Sequence, residues 1–107
     1  MTEKRQQGLY GELLFLSECL DSYGLESVSH WAGSEDETHD FYFGSHAVEV
    51  KTTSMQAPYF ASISSEYQLD KSDIPGKLFL RFYALRRSHS SGEKLPERIN
   101  AIRSRLC

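Results

Sequence analysis

The stretch that most constrains this chain is Asp40–Lys51, which has the pattern of a β-hairpin. Two runs of aromatic and β-branched residues flank a two-residue loop, Gly44-Ser45. Glycine in the first loop position favours a type II′ turn, and a two-residue loop fixes the register of the strands. We therefore predict these opposing pairs: Phe43 and His46, Tyr42 and Ala47, Phe41 and Val48, Asp40 and Glu49.

This register places three charged side chains on one face of the hairpin. Side chains alternate along a strand, so Asp40, Glu49 and Lys51 share a face. The opposite face is apolar and comprises Phe41, Phe43, Val48 and Val50. Two carboxylates directly across a strand pair, with Cβ atoms about 5 Å apart, repel one another. A hairpin that served only stability would avoid this pair, so the pattern favours a cation site.

Asp40 and Glu49 are therefore candidate ligands of a divalent cation, and Lys51 is a candidate catalytic residue. Mg²⁺ prefers oxygen ligands and keeps several waters, so one or two carboxylates plus substrate phosphate oxygens suffice. A bound metal lowers the pKa of a coordinated water and offsets charge in the transition state of phosphodiester cleavage. Lys51 would orient that water or stabilise the developing charge. The alternative is a solvent-facing strip of three unrelated charged residues.

Glu12 and Gln68 are further candidates, each with a structural alternative. On a helical wheel at about 100° per residue, Glu12 lies beside the apolar stripe of the first predicted helix. A carboxylate there is costly unless it finds a partner, such as a metal-bound water or Lys51. Its alternative is a flanking position from which the head group reaches solvent. Gln68 would contact a phosphate or the catalytic water, or would form a capping box with Ser65, and these two roles are compatible.

The four histidines do not have the spacing of a metal site. They are His30, His39, His46 and His89. We interpret each as structural or solvated, and we note a possible substrate contact for His39 because it adjoins Asp40. The sequence contains no glycine-rich phosphate loop, no GxSxG motif and no Cys/His pair in a nucleophile context.

Composition bounds the class of protein. The 107 residues, 39% hydrophobic and 25% charged, fit one globular domain with one core. No apolar run approaches the roughly 20 residues that span a bilayer, and the N-terminus lacks a signal-peptide core. Two cysteines without a CxxC motif are typical of reduced thiols, so we expect a cytoplasmic protein. The net charge of -3 gives no general nucleic-acid signature, although basic residues concentrate in the last third.

Apolar periodicity predicts the other elements. In chain order they are a helix over 8–23 that ends at Gly24, a weak strand over 26–31, an acidic loop over 33–38, the hairpin over 39–53, a short edge strand over 59–64, a helix start at 65–68, a turn at 73–76, a strand over 78–85 and a last helix with Pro96 in its first turn. The predicted inward faces of the two longer helices are Leu9, Leu13, Leu16, Leu20 and Tyr23, and Ile99, Ile102 and Leu106. The apolar run over 78–85 is typical of a central strand buried on both faces. This order predicts an α/β sandwich with a mixed sheet.

The order of the candidate residues resembles that of the PD-(D/E)XK nuclease superfamily. The matching segments are Gly11-Glu12 in a first helix, His39-Asp40-Phe41, Val48-Glu49-Val50-Lys51-Thr52-Thr53, and Gln68-Leu69-Asp70. The chain most resembles the bacterial branch labelled PD-(D/E)XK motif proteins, over residues 8–106. His39 stands where the superfamily name has a proline, which is the least strictly kept position of that motif.

The resemblance implies an α/β fold with a restriction-endonuclease-like core, a mixed sheet of four to five strands flanked by helices. It implies one domain over 1–107, or the core of a longer family member, that hydrolyses DNA with Mg²⁺, for which Mn²⁺ can substitute. The implied metal ligands are Asp40, Glu49 and the carbonyl of Val50, and the implied catalytic residues also include Lys51, Glu12 and Gln68. A bacterial restriction, defence or DNA-processing context is typical of this branch.

Three functions stay open at the level of sequence. The first is a nuclease that cleaves DNA phosphodiester bonds to leave 5′-phosphate and 3′-hydroxyl ends, acting alone, as a homodimer or with a partner subunit. The second is a catalytically inactive domain of the same fold that binds DNA or a partner subunit of a defence complex. The third is a small structural module. The set Asp40, Glu49 and Lys51 favours the enzyme, because a binding domain has no reason to retain mutually repelling carboxylates.

Overall fold

The computed structural model describes residues 2–33, 39–54, 74–86 and 91–106. Its helices are α1, Glu3–Tyr23, a 3-10 helix, Leu25–His30, and α2, Leu95–Leu106. Its strands are β1, Phe41–Phe43, β2, His46–Ser54, and β3, Leu78–Leu85. The predicted edge strand over 59–64 and helix start at 65–68 lie outside the described residues, as does most of the predicted acidic loop. No helix within the described ranges is both long and apolar enough to span a bilayer.

The strands form a mixed sheet in the order β1-β2-β3, flanked by helices, which gives an α/β architecture. β1 and β2 are antiparallel in the predicted register, with Phe41 opposite Val48. Gly44 has a φ of +58° while Ser45 has no positive φ, as in a type II′ turn. β3 runs parallel to β2. In the described part of the chain the sheet has three strands, not the expected four to five.

α1 begins earlier than predicted and ends where predicted. It starts at Glu3 because the Thr2 side chain caps it, accepting a hydrogen bond from the Arg5 backbone N–H at 3.2 Å. It ends before Gly24, whose φ of +83° takes the chain out of the helix. The Gly24 N–H still donates to the carbonyl of Leu20 at 3.0 Å, which satisfies one of the last carbonyls of the helix.

One hydrophobic core joins α1, the hairpin and α2. Its buried members are Leu13, Leu16, Leu20, Phe41, Val48, Val50 and Ile102. Phe15 of α1 contacts Phe41 edge to face, with ring centroids 4.8 Å apart. Full burial of side chains of this size is worth roughly 1.5–3 kcal/mol each. The apolar hairpin face predicted from sequence thus packs in the core: Phe41, Val48 and Val50 are buried there and Phe43 packs against them.

Three sequence predictions about buried positions and local structure are wrong. Tyr23 and Leu106 are 65% and 42% exposed, because they are the last residues of their helices and lie beyond the core. The segment 26–31 is largely a 3-10 helix rather than a strand. There, Ser27 is buried and its hydroxyl donates to the Cys19 carbonyl at 2.9 Å. This bond ties the segment to α1, and only its last residue, Trp31, pairs with the hairpin, in an isolated β-bridge to Phe41.

β3 has the predicted bounds but not the predicted burial. It lies at an edge of the sheet formed by the described residues, and Phe79 and Leu80 are about half exposed. The face that contains Arg81 lies near α1, where the guanidinium binds Glu18 at 3.0 Å. An apolar run identifies a strand but not its neighbours, so two-sided burial does not follow from it.

Candidate active site

Asp40 lies directly before β1, and hydrogen bonds hold both its side chain and its main chain. Its Oδ2 accepts the backbone N–H of Val50 at 2.8 Å. Its carbonyl accepts the N–H of Ala32 at 2.9 Å. Asp40 directly precedes Phe41, which pairs with Val48 in the predicted register, and its negative charge acts on Glu49 of β2.

Glu49 and Lys51 lie on one face of β2, two residues apart. The Lys51 Nζ is 3.8 Å from the Glu49 Oε2, and the Glu49 side chain is almost fully buried, at 2% exposed. The other carboxylate oxygen, Oε1, is 2.8 Å from the Nδ1 of His39. The two oxygens of Glu49 therefore have different partners, one a buried imidazole and the other an ammonium group.

Glu12 reaches the same region from α1. Its Oε1 accepts a hydrogen bond from the indole N–H of Trp31 at 2.9 Å. Trp31 in turn pairs with Phe41 in an isolated β-bridge, so it connects α1 to the beginning of the hairpin. Glu12, a carboxylate beside the apolar stripe of α1, thus has the Trp31 indole as its partner. The partly buried indole N–H of Trp31 also finds its acceptor in this way.

The charge of Glu12 is coupled to those of Asp40, Glu49 and Lys51. The pKa of Glu12 is raised to about 7, chiefly by burial and also by the negative charges of Asp40 and Glu49. The Trp31 hydrogen bond and the Lys51 charge oppose part of this increase. Solvent and salt screen charges that lie far apart, so this coupling indicates that the groups lie near one another. Glu12, Asp40, Glu49 and Lys51 therefore form one electrostatic cluster.

The other two carboxyl groups are perturbed in the same direction. Burial raises the pKa of Asp40, and the Val50 N–H bond and the Lys51 charge partly offset the increase. Burial and, second, the negative charge of Asp40 raise the pKa of Glu49, while the hydrogen bond to His39 lowers it. All three carboxyl groups are thus harder to ionise than in water. An added positive charge at this position would favour their ionised forms.

The donor set suits Mg²⁺ in kind, because carboxylate oxygens are the ligands this ion prefers. Within the described ranges, however, no three His, Cys, Asp or Glu side chains are arranged to hold a metal ion. Mg²⁺ usually binds through one or two carboxylates and completes its octahedron with water and phosphate oxygens. The geometry therefore fits a site with few protein ligands and does not fit a cage made only of side chains.

The structure thus brings together four of the predicted site residues. They are Glu12, Asp40, Glu49 and Lys51. Gln68 lies outside the described residues. The backbone N–H of Val50 binds Asp40, and this contact places the main chain of Val50 at the site.

Two neighbours of the candidate site, His39 and Trp31, were not assigned these contacts from the sequence. A strand that extended to His39 would place its imidazole on the apolar face, opposite Val50. Regular pairing begins only at Phe41, so His39 can turn to Glu49 instead. The sequence feature that could have indicated the contact with Glu49 was a histidine at a position predicted to face inward. A buried imidazole requires a hydrogen-bond partner.

Comparison with known proteins identifies the family to which the chain belongs. A family model described as "Putative PD-(D/E)XK family member, (DUF4420)" matches residues 1–107. Searches of the curated proteins and of the solved structures returned no match. The matched range contains α1 with Glu12 and the hairpin with Asp40, Glu49 and Lys51. The chain therefore belongs to the DUF4420 family, which is grouped by its description with the PD-(D/E)XK proteins.

Proposed function

We propose that this chain is a metal-dependent nuclease that hydrolyses DNA phosphodiester bonds, with residues 1–107 acting as a single PD-(D/E)XK nuclease-like domain. The observation that carries the proposal is the placement of Asp40, Glu49 and Lys51 at one end of the hairpin, with Asp40 bound to the N–H of Val50 and Lys51 beside Glu49; burial raises the pKa of both carboxyl groups and of Glu12. Such a cluster is unfavourable for folding and favourable for binding a cation. Membership of a family grouped with the PD-(D/E)XK proteins supports a nuclease-type hydrolase.

Asp40, Glu49 and the carbonyl of Val50 would hold Mg²⁺, and Mn²⁺ would substitute for it. When bound, the ion supplies charge stabilisation and acidifies a coordinated water. Lys51 places its Nζ on the same side and would stabilise the negative charge that develops on the scissile phosphate. Gln68 would contact a phosphate oxygen or the attacking water.

Glu12 would assist by accepting a proton. A general base is most effective when its pKa lies near the working pH, and burial raises the pKa of Glu12 to about 7. Trp31 binds Oε1 of Glu12, so we assign Oε2 as the oxygen that receives the proton. The rate should therefore depend less on Glu12 than on Lys51, because water can replace a base more easily than a fixed positive charge.

The proposed substrate is bacterial or invading DNA in the cytoplasm, in a restriction, defence or DNA-processing role. A homodimer or a partner subunit would supply further DNA contacts. These features follow from the family resemblance and from the need of a small domain for additional contact area on a duplex.

The second candidate function is a catalytically inactive domain of the same fold that binds DNA or a partner subunit. One observation favours it. Both oxygens of Glu49 already have partners, His39 and Lys51, and no group of three potential ligand side chains in the described residues is arranged around a metal position. In this case Lys51 would neutralise Glu49 in place of a cation.

A cleavage assay with plasmid and linear DNA, in Mg²⁺ or Mn²⁺, separates the two functions. Lys51→Ala should lower the rate by roughly two to three orders of magnitude, the scale of a lost preorganised electrostatic contact, and should leave DNA binding nearly intact. Asp40→Ala should also abolish most cleavage, and Glu12→Gln should have a smaller effect. Lys4→Ala, which removes an exposed lysine from α1, is the matched control and should cut like the wild type.

Contaminating nuclease would cleave equally in every preparation. Cleavage by Lys51→Ala and Asp40→Ala at the wild-type rate would therefore refute the catalytic proposal. DNA binding by the wild type without any cleavage would support the inactive domain instead. A crystal soaked in Mn²⁺ should show an anomalous peak between Asp40 and Glu49 if these residues hold the metal.

A further inference from the structure

We propose that His39 is a positioning residue for Glu49. Its Nδ1–H donates to Oε1 of Glu49 and leaves Oε2 directed toward Lys51 and the cation. This inference rests on the proposed function, because Glu49 is there assigned as a metal ligand. His39 itself is not assigned as a ligand or as a group that contacts substrate.

The two oxygens of Glu49 are held to different degrees. Nδ1 of His39 is 2.8 Å from Oε1, within hydrogen-bond distance, and both side chains are buried, at 0% and 2% exposed. Nζ of Lys51 is 3.8 Å from Oε2, beyond hydrogen-bond distance. Oε1 is therefore fixed, and Oε2 is the oxygen that can coordinate a cation with little rearrangement.

His39 is itself held in place by the beginning of the hairpin. Its backbone N–H donates to the Tyr42 hydroxyl at 3.1 Å, and the two rings have centroids 5.8 Å apart. The next residue, Asp40, is bound through the N–H groups of Val50 and Ala32. The imidazole thus approaches Glu49 from a constrained backbone. A buried imidazole is costly unless it is hydrogen-bonded, so Glu49 and His39 each satisfy the other.

This arrangement restricts rotation of the Glu49 carboxylate before any cation arrives. Residues that bind the ligands of a metal orient them, and their loss typically costs about 10- to 100-fold in metal affinity. Loss of the His39 donor should leave Oε1 without its partner and free the carboxylate to turn. The expected consequence is weaker cation binding in a chain that is still folded.

A matched pair of variants isolates the hydrogen bond from the volume of the ring. Asparagine carries an N–H donor near the position of Nδ1, and leucine has the same branching and nearly the same size without a donor. Magnesium affinity is measured by isothermal titration calorimetry on the full chain, with urea unfolding in EDTA as the check of folding. We expect His39→Leu to bind Mg²⁺ about 10- to 100-fold more weakly than the wild type. His39→Asn should recover most of this loss.

Equal affinities for His39→Asn and His39→Leu would overturn the inference, because the donor would then have no effect. If His39→Leu does not fold, a measurement on the wild type decides instead. The ¹⁵N spectrum of the imidazole at one pH should show a proton on Nδ1, and Mg²⁺ should shift this signal more than that of His30. A neutral ring protonated only on Nε2 could not donate to Glu49 and would overturn the inference.

The same experiment separates this inference from the proposed function. The wild-type titration alone tests the metal site, so absence of Mg²⁺ binding would refute the metal-dependent nuclease and the role of His39 toward the metal. Normal Mg²⁺ binding by the wild type and by both variants would leave the nuclease intact and refute only the role of His39. The tautomer measurement reports on the bond between His39 and Glu49 in either case.

Discussion

Replacement of Glu12 by glutamine is expected to stabilise the fold at pH 8 and to have a small effect at pH 5. The pKa of Glu12 is raised to about 7, first by burial and then by the charges of Asp40 and Glu49. The Trp31 hydrogen bond and the Lys51 charge only partly oppose this increase. At pH 8 the folded chain therefore carries a charge that its surroundings disfavour.

The sign and size of the effect follow from proton linkage. The carboxyl group titrates at an ordinary pKa of 4.5 and at about 7 in the folded state. Between these values the folded state binds more protons than the unfolded state, so the free energy of unfolding falls as pH rises. The full change corresponds to at most about 3 kcal/mol, since a tenfold change in proton affinity is worth about 1.4 kcal/mol. Partial solvation of the side chain reduces this value toward about 1–2 kcal/mol.

Glutamine resembles the protonated carboxyl group, and its carbonyl can still accept the Trp31 N–H. Glu12→Gln should therefore be more stable than the wild type at pH 8, with a difference that shrinks at pH 5. Urea unfolding in EDTA at both pH values measures it, and Glu26→Gln, at an exposed position, controls for loss of a surface negative charge. A Glu12→Gln variant that is less stable than the wild type at pH 8 would refute the reasoning. A difference that is the same at both pH values would refute it as well.

Two further predictions concern the metal and the contact between α1 and the sheet. Asp40→Asn should reduce the rise in melting temperature that Mg²⁺ causes in the wild type, because a ligand that binds the folded state stabilises it; an equal rise in both would place the metal elsewhere. Gly11→Ala should destabilise the fold by about 1–2 kcal/mol, because the added Cβ would overlap the Thr52 side chain. The Cβ added by Gly8→Ala meets no atom within 4 Å, so this variant should instead stabilise α1 by up to about 1 kcal/mol. Urea unfolding of Gly8→Ala and Gly11→Ala therefore separates helix propensity from packing.

The hairpin was predictable from sequence because its determinants are local. A two-residue loop with glycine fixes which residues face one another, and the observed pairing of Phe41 with Val48 confirms this register. Alternation along β2 then places Glu49 and Lys51 on one face without any knowledge of the remaining fold. The same argument gave the apolar face that packs on α1.

The contacts made by more distant residues were harder to predict. Helical periodicity showed that Glu12 needed a partner, but that partner, the indole of Trp31, follows a segment that forms a 3-10 helix rather than the predicted strand. Likewise, the hydrogen bond between His39 and Glu49 depends on where β-pairing begins, at Phe41. Both outcomes depend on tertiary packing, which overrides weak local alternation.

The candidate site and the hydrophobic core share the same short strands, and this explains how a small domain can hold three unfavourable carboxyl groups. Val50 packs its side chain in the core while its backbone N–H binds Asp40. Phe41, the residue after Asp40, is fully buried. Burial of these side chains stabilises the strands from one face and offsets the repulsion on the other. The positions of Asp40 and Glu49 are therefore set by core packing, so a cavity beneath Phe41 or Val50 should disturb the carboxylates even though it removes none of them.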